Sequence, residues 1–219
     1  MTKLNLGCGL QCPDKWTNID SSIGVRISKH PFLKKLLYKL VPKKWGILPN
    51  IEWPSNTFWM DLTQRFTFAD DSVSYVYSSH TFEHLSYSEA EEVFLECYRV
   101  LKSDGLIRIV VPDFECLINS YLDDKLNNPK GACKRFHLDS GYFEHGSPSS
   151  LLGLLVYFFK RKNNHYFLYD ESALRVQFEK AGFTDVKRMQ YRESGIPEIS
   201  EIDIESRFHN SICLEGRKK

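Results

Sequence analysis

The 219-residue sequence has no run approaching the ~20 apolar residues that span a bilayer, so no transmembrane helix is expected. Met1 leads directly into strand-like sequence, without the layout of a signal peptide. Charge of neither sign is in excess. The 29 Lys and Arg balance 28 Asp and Glu, which gives no global field for nucleic acid. No C-x-x-C pair occurs among the six cysteines, at positions 8, 12, 97, 116, 133 and 213. This disfavours a zinc ribbon or a disulfide framework; Cys97 and Cys213 read as buried thiols of a reduced protein. Internal repeats and low-complexity linkers are also missing. What is abundant is aromatic residues, 14% of the chain, as in a packed globule. One α/β domain over residues 1–219 with a sizeable core is expected.

Strand-like and helix-like stretches alternate. KLNLG and WTNID read as strands, and SKHPFLKKLLYKLVPKKWG as a basic amphipathic helix stopped by Pro42. IEWPSNTFWMDL contains a third strand, and SVSYVYSSH is a fourth. SYSEAEEVFLECYRVLKSDG is a helix with a Ser86/Glu89 capping box and Gly105 past its end. LIRIVVPD is a buried central strand. FECLINSYLDDKL is a helix, followed by an irregular stretch and the amphipathic SPSSLLGLLVYFFKRK. DESALRVQFEKAGF is a helix capped by Asp170 and ended by Gly182. TDVKRMQY and HNSICLEGRKK form a final antiparallel pair at the sheet edge, joined by a loop without helix. The expected fold is therefore an α/β doubly wound Rossmann-like sheet, mostly parallel with an antiparallel edge hairpin. Segments 21–55 and 114–168 are inserted helical or lid regions. Such sheets bind ligands beyond the carboxyl ends of their strands, where Gly7, Gly9, Asp20, Asp61, Ser79, His80 and Asp113 collect.

The opening stretch KLNLGCGLQCPDKWTNID has a Gly7-Cys8-Gly9 turn after a strand but no third glycine and no helix start. A pyrophosphate cradle needs both, so a dinucleotide is not expected there. The interval before Asp20 is too short for a usual first helix.

LNLGCG, NID, MDL, FADDSVSYVYSSHTFEHL and ECYRVLKSDGLIRIVVPD occur in that order. This series resembles the class I S-adenosylmethionine-dependent methyltransferases. SSHTFEHL with YRVLKSDGLIRIVVPD, HYFLYDESALRVQFEKAGF and ESRFHNSICLEG resemble a branch associated with surface-polysaccharide and cell-envelope biosynthesis. Asn5 stands where the family commonly has an acid, Ser74 where it commonly has Asp, and Ser103-Asp104-Gly105 replaces a Pro-Gly-Gly turn. The resemblance implies S-adenosylmethionine as cofactor, held by Asn5, Leu6, Gly7, Cys8 and Gly9 at the turn. It implies that Asp20 accepts the ribose hydroxyls, that Asp61 and the Leu62 amide take adenine, and that Ser78, Ser79 and His80 line the methionine side.

Methyl transfer to oxygen requires a base. His80, at the end of strand four, has an ordinary pKa near neutrality and is the first candidate. Its alternative is a structural histidine that bonds Glu83. Asp113 is the second catalytic candidate, or else a cap for the helix at Phe114. His84, His165 and Tyr169 are candidate acceptor-site residues, with core packing as the alternative for the tyrosine. His137, Asp139, Glu144 and His145 match no metal spacing, and no metal is expected. The expected acceptor is a sugar or glycan. Another small molecule, a lipid, or a non-catalytic binding role are the alternatives. Ser-Ser-His-Thr replaces the Asn/Asp-Pro-Pro-Tyr type motif of nucleic-acid amine methylation. A cytoplasmic protein is expected; the two basic amphipathic segments allow contact with the inner membrane surface, although packing on the sheet or as a lid is the simpler reading.

Overall fold

A computed structural model describes residues 1–30, 32, 52–141 and 164–219. Most of SKHPFLKKLLYKLVPKKWG and of SPSSLLGLLVYFFKRK, together with Glu144 and His145, lies outside these residues. Among the described residues no helix is long and apolar enough to cross a membrane.

The strands are β1 (Lys3–Leu6), β2 (Thr17–Asp20), β3 (Thr57–Trp59), β4 (Val73–Ser79), β5 (Leu101–Pro112), β6 (Thr184–Arg188) and β7 (Ser211–Arg217). They form one sheet in the order β3-β2-β1-β4-β5-β7-β6. Pairing is parallel from β3 to β5, while β7 runs antiparallel to both β5 and β6. The expected doubly wound sheet with an antiparallel edge pair is the observed one. Chain order reverses between β1 and β4, and this switch point fixes where a ligand can sit.

One face carries the main core. Leu4, Leu6, Ile19, Val76, Ile107, Ile109, Ile212 and Leu214 meet two helices, α2 (Tyr87–Val100) and α5 (Glu171–Ala181). Both helices start and stop where local chemistry dictates. Ser86 accepts the Glu89 N–H, and Glu89 accepts that of Ser86 at 2.8 Å. Asp170 caps Ala173 at 2.6 Å, and Gly182 closes α5 in the left-handed region at φ 99°. Ala90, Val93, Phe94 and Cys97 on α2, and Leu174, Phe178 and Ala181 on α5, follow helical periodicity into the sheet.

Three local expectations are corrected. Helix α2 ends at Val100, not near Gly105, because residues 101–105 are taken by β5 and by the chain end. Asp104 donates its N–H to Lys218 O at 2.9 Å, and Lys218 Nζ reaches Leu101 O at 2.8 Å. Gly105 is no helix cap; a Cβ there would press on the Lys102 and Ser74 carbonyls. The stretch after α3 (Phe114–Asn127), read as irregular, contains helix α4 (Ala132–Asp139). Arg135 ties it to α3 through Asp124, at 2.7 and 3.0 Å.

The other face is covered in an uncommon way. Only residues 7–16 join β1 to β2, and between them they form turns, not a crossover helix. Parallel neighbours ordinarily need a dozen or more linking residues. A short helix, α1 (Ile23–Ser28), follows β2 instead. The bare face over β1, β4 and β5 is sealed by the connection between β6 and β7. Ile196, Ile199 and Ile202 pack there on Trp16, Tyr77 and Leu106. Arg108, fully buried on β5, bonds Asp203 at 2.8 Å and the carbonyls of Glu193 and Gln190 at 2.7 and 2.9 Å. Lys3 pairs with Glu198 at 2.8 Å, and the Gly195 N–H donates to Glu215 at 2.9 Å.

Candidate functional site

A cleft of about 220 Å3, open to solvent, lies at the switch point. Asn5, Gly7, Cys8, Gln11, Tyr77, Ser79, Ile202, Ile204 and Arg207 line it. The Gly-x-Gly turn after β1 forms its floor. Gly7 and Gly9 both have positive φ, 66° and 53°. A Cβ on Gly7 would collide with the Thr81 side chain, whereas a Cβ on Gly9 would meet open space. Gly9 thus leaves its backbone uncovered, next to Gly7 and Cys8 of the cleft lining. Its N–H is held by Asp20 Oδ2 at 2.9 Å, while Oδ1 accepts the Ser22 N–H at 2.7 Å. Asp20 is buried at the end of β2 with its carboxylate fixed at the turn.

Asn5 lines the cleft, but its amide donates to Gln11 O and Asn18 Oδ1, at 2.8 and 2.9 Å, and so braces the turn. Cys8 is buried; burial, with Cys12 beside it, pushes its thiol pKa up and keeps it protonated. Asp61 accepts the Thr63 N–H and hydroxyl at 3.1 and 2.9 Å, which fixes the turn after β3.

Other predicted residues have side chains with structural roles. Leu6 and Ser78 face the main core, opposite Asn5 and Tyr77, and the Ser78 hydroxyl donates to Leu6 O at 2.9 Å. Their side chains are structural, because a one-residue step along a strand reverses the face. The Leu62 side chain packs in the main core, and the expectation for its backbone amide is not affected by this. Tyr169 is fully buried among core aromatics, 4.8 Å from the Phe167 ring, and is not an acceptor-pocket residue. Asp113 is the cap of α3. Its Oδ1 accepts the Glu115 and Cys116 N–H groups at 2.9 and 3.4 Å, and Oδ2 faces Arg188 at 3.4 Å. Capping of α3, the alternative reading, is therefore the role in which the structure places Asp113.

His80 follows β4 in a left-handed backbone conformation, φ 53°, which is strained for a non-glycine residue. Its Nε2 lies 2.9 Å from Arg207 O, and its Nδ1 lies 3.3 Å from Glu83 Oε1. Burial disfavours the charged ring, but Glu83 and the Arg207 carbonyl outweigh it and raise the pKa above the ordinary histidine value. His84 and His165 do come together, with ring centroids 4.9 Å apart.

Sequence reasoning missed Arg207 and Tyr77. Arg207 arrives on the β6–β7 connection; its Nη1 donates to Ser79 O at 2.9 Å, and it borders the cleft. Tyr77 was visible only as strand sequence. Its hydroxyl and that of Ser79 face each other, buried at the cleft, and neither makes a hydrogen bond of good geometry. Unpartnered buried hydroxyls are costly unless a ligand completes them. Those hydroxyls, the Arg207 guanidinium, the bare Gly9 backbone and the fixed Asp20 carboxylate fit S-adenosylmethionine. Its amino-acid end needs polar partners and a cation, and its ribose needs an acceptor.

Residues 4–109, which carry this turn and β1 to most of β5, match the family model of a methyltransferase domain. The chain carries a methyltransferase domain of the S-adenosylmethionine-dependent kind. No curated protein matches it. Among solved structures, an S-adenosylmethionine-dependent methyltransferase of Archaeoglobus fulgidus is similar at 16% identity and a TM-score of 0.51, over 99% of this chain and 86% of that one. Another from Thermotoga maritima is similar at 16% identity and a TM-score of 0.50, over 100% of this chain and 82% of that one. At such identities the likeness concerns the fold. Of the expected cofactor residues, Asn5, Gly7, Cys8 and Ser79 line the cleft together with Tyr77 and Arg207, and Asp20 anchors Gly9 at its turn; S-adenosylmethionine supplies an electrophilic methyl group when bound.

Proposed function

We propose that this methyltransferase acts on an oxygen of a sugar or glycan acceptor. The observation that carries the oxygen assignment is the His80–Glu83 pair at the end of β4, beside the cofactor cleft. A carboxylate at Nδ1 orients an imidazole so that Nε2 serves as the basic nitrogen. In the resting arrangement Nε2 faces the Arg207 carbonyl. When the acceptor hydroxyl takes that carbonyl's place, Nε2 gives up to solvent the proton it donated there while Nδ1–H stays on Glu83, and the freed Nε2 takes the hydroxyl proton as the methyl group leaves the sulfonium for the acceptor oxygen. The carbohydrate nature of the acceptor is supported by the likeness of SSHTFEHL and ESRFHNSICLEG to the surface-polysaccharide branch. Membrane-surface association belongs to the same reading, since a lipid-linked glycan would present such an acceptor.

The test is a methyl-transfer assay on a panel of sugars and lipid-linked glycans with His80→Ala as the variant. General-base loss lowers kcat by about 10²–10⁴-fold. Cofactor affinity, read by calorimetry, is expected to change by less than about threefold. Undiminished turnover in the variant would remove His80 as base; transfer only to nitrogen or carbon acceptors would overturn the oxygen assignment.

Arg207→Ala gives the complementary result. It leaves the Arg207 carbonyl in place and removes the cation at the amino-acid end of the cofactor. A charge-assisted hydrogen bond contributes about 1.5–3 kcal/mol, so affinity for S-adenosylhomocysteine is expected to fall roughly ten- to a hundredfold. Adenosine, which lacks the amino-acid end, is expected to bind the variant and the wild type alike. Equal losses for both ligands would show that the substitution acts through the fold.

A further inference from the structure

We infer that Glu83, His84 and His165 form a binding site for one divalent first-row transition-metal ion beside His80. The sequence reading expected no metal, and its one polar cluster lay elsewhere. One oxygen of Glu83 and one ring nitrogen each of His84 and His165 lie within 4.8 Å of one another. Metal–ligand bonds of about 2.1 Å in a tetrahedral site set ligands about 3.4 Å apart. The side chains therefore need to close by only about an ångström.

The ligand atoms are only weakly engaged. Glu83 is 1% exposed, and neither of its carboxylate oxygens makes a hydrogen bond of good geometry. Its one nearby cationic partner among the described residues is the His80 ring, with Nδ1 at 3.3 Å. The His165 ring lies beside the Ser140 backbone, and its buried Nδ1 makes no hydrogen bond of good geometry. His84 has Nδ1 on Asn164 O at 3.1 Å, which leaves Nε2 as its metal-facing nitrogen. A buried carboxylate with one half-made contact is expensive, and native structures rarely leave several such groups side by side.

The site is also built on fixed backbone. Glu83 and His84 sit in a short turn, Phe82–His84, where the His84 N–H is held by Thr81 O at 3.0 Å. His165 is brought in from far along the chain. The N–H groups of Tyr166 and Phe167 donate to Glu83 O, at 2.7 and 3.3 Å, and the His165 N–H donates to Gly141 O at 3.2 Å. Gly141 leaves room for the His165 ring, which a Cβ there would strike.

Two imidazoles and one carboxylate, with no thiolate, favour Mn²⁺, Fe²⁺, Co²⁺ or Zn²⁺ over Mg²⁺ or Ca²⁺. With three protein ligands, coordination positions remain for water or acceptor oxygens. Glu83 can hold the ion with one oxygen and His80 with the other.

The experiment is a titration of the full-length chain with Mn²⁺ after chelator treatment, counting bound ions by the loss of the free-ion electron paramagnetic resonance signal. No methyl acceptor is needed, so the result is independent of the acceptor assignment. One Mn²⁺ per chain is expected, with affinity weakened at least about a hundredfold in His165→Ala and in Glu83→Gln and unchanged in His137→Ala. His84→Asn, with circular dichroism to verify folding, covers the case in which either variant is unstable. Absence of saturable 1:1 binding to the wild type, or binding that survives in the folded variants, would overturn the site.

Discussion

Replacing Asp20 with alanine is expected to lower affinity for S-adenosylmethionine and S-adenosylhomocysteine by about two to three decades. The carboxylate sits at the end of β2, where Gly9 and Ser22 N–H groups fix both oxygens at 2.9 and 2.7 Å. Each oxygen keeps a second lone pair, and these are the acceptors the ribose hydroxyls are expected to use. Hydrogen bonds to a charged acceptor contribute about 1.5–3 kcal/mol each, and every 1.4 kcal/mol is about tenfold in affinity. Two such bonds give the expected size. Asp20→Ala also frees the Gly9 N–H, so the turn loses its anchor along with the ligand contact. Asp20→Asn retains one oxygen acceptor and should fall between the two. Calorimetric titration of the three proteins, with thermal melting to confirm folding, makes the comparison. An Asp20→Ala affinity within threefold of wild type would place the ribose elsewhere.

The second large effect is on stability. Asp203→Ala is expected to destabilise the protein by about 3–5 kcal/mol, because it leaves Arg108 buried and charged. Arg108 and Asp203 side chains are both 0% exposed and meet at 2.8 Å. The Arg192 N–H also donates to Asp203, at 2.9 Å, so the carboxylate organises the connection as well as the ion pair. The double variant Arg108→Met, Asp203→Leu should recover much of the loss, since removing both charges abolishes the desolvation cost. Urea unfolding of the two proteins checks this. Arg207 rides on the same connection, so Asp203→Ala should weaken cofactor binding even at temperatures where it stays folded. A single variant as stable as wild type would mean that this connection does not hold the face closed.

The β6–β7 connection shows where sequence and tertiary structure part. Its residues read as a loop without helix, and apart from two short turns, Ile199–Glu201 and Glu205–Arg207, that is what they form. Nothing local says that they replace a missing first helix. That follows only when the ten residues after β1 leave a face uncovered and the nearest unpaired apolar residues, Ile196, Ile199 and Ile202, reach it. The sequence separation between Arg207 and Ser79 hides their contact from any local pattern.

Asp113 and His80 illustrate the same division at the site. Each follows a strand at the ligand edge, and each had a structural alternative readable from the sequence. Helix α3 begins immediately after Asp113, and its first free N–H groups take that carboxylate. His80 does bond Glu83, as the alternative required, yet it also borders the cleft entrance through Arg207. The structural contact and the proposed catalytic one coexist because the imidazole has two nitrogens.

By itself the sequence determined the alternation of strands and helices, the caps at Ser86, Asp170 and Gly182, and the Gly-x-Gly turn facing Asp20. These depend on neighbours a few residues apart, where periodicity, capping and allowed φ act directly. Which side chains face the ligand was decided only in three dimensions. The central strands are buried on both faces, so alternation cannot tell Ser78 from Ser79, and only pairing with β1 and β5 does. The meeting of Glu83 and His84 with His165, and of Arg207 with the cofactor cleft, required chain segments some 80 to 130 residues apart to be brought together by packing.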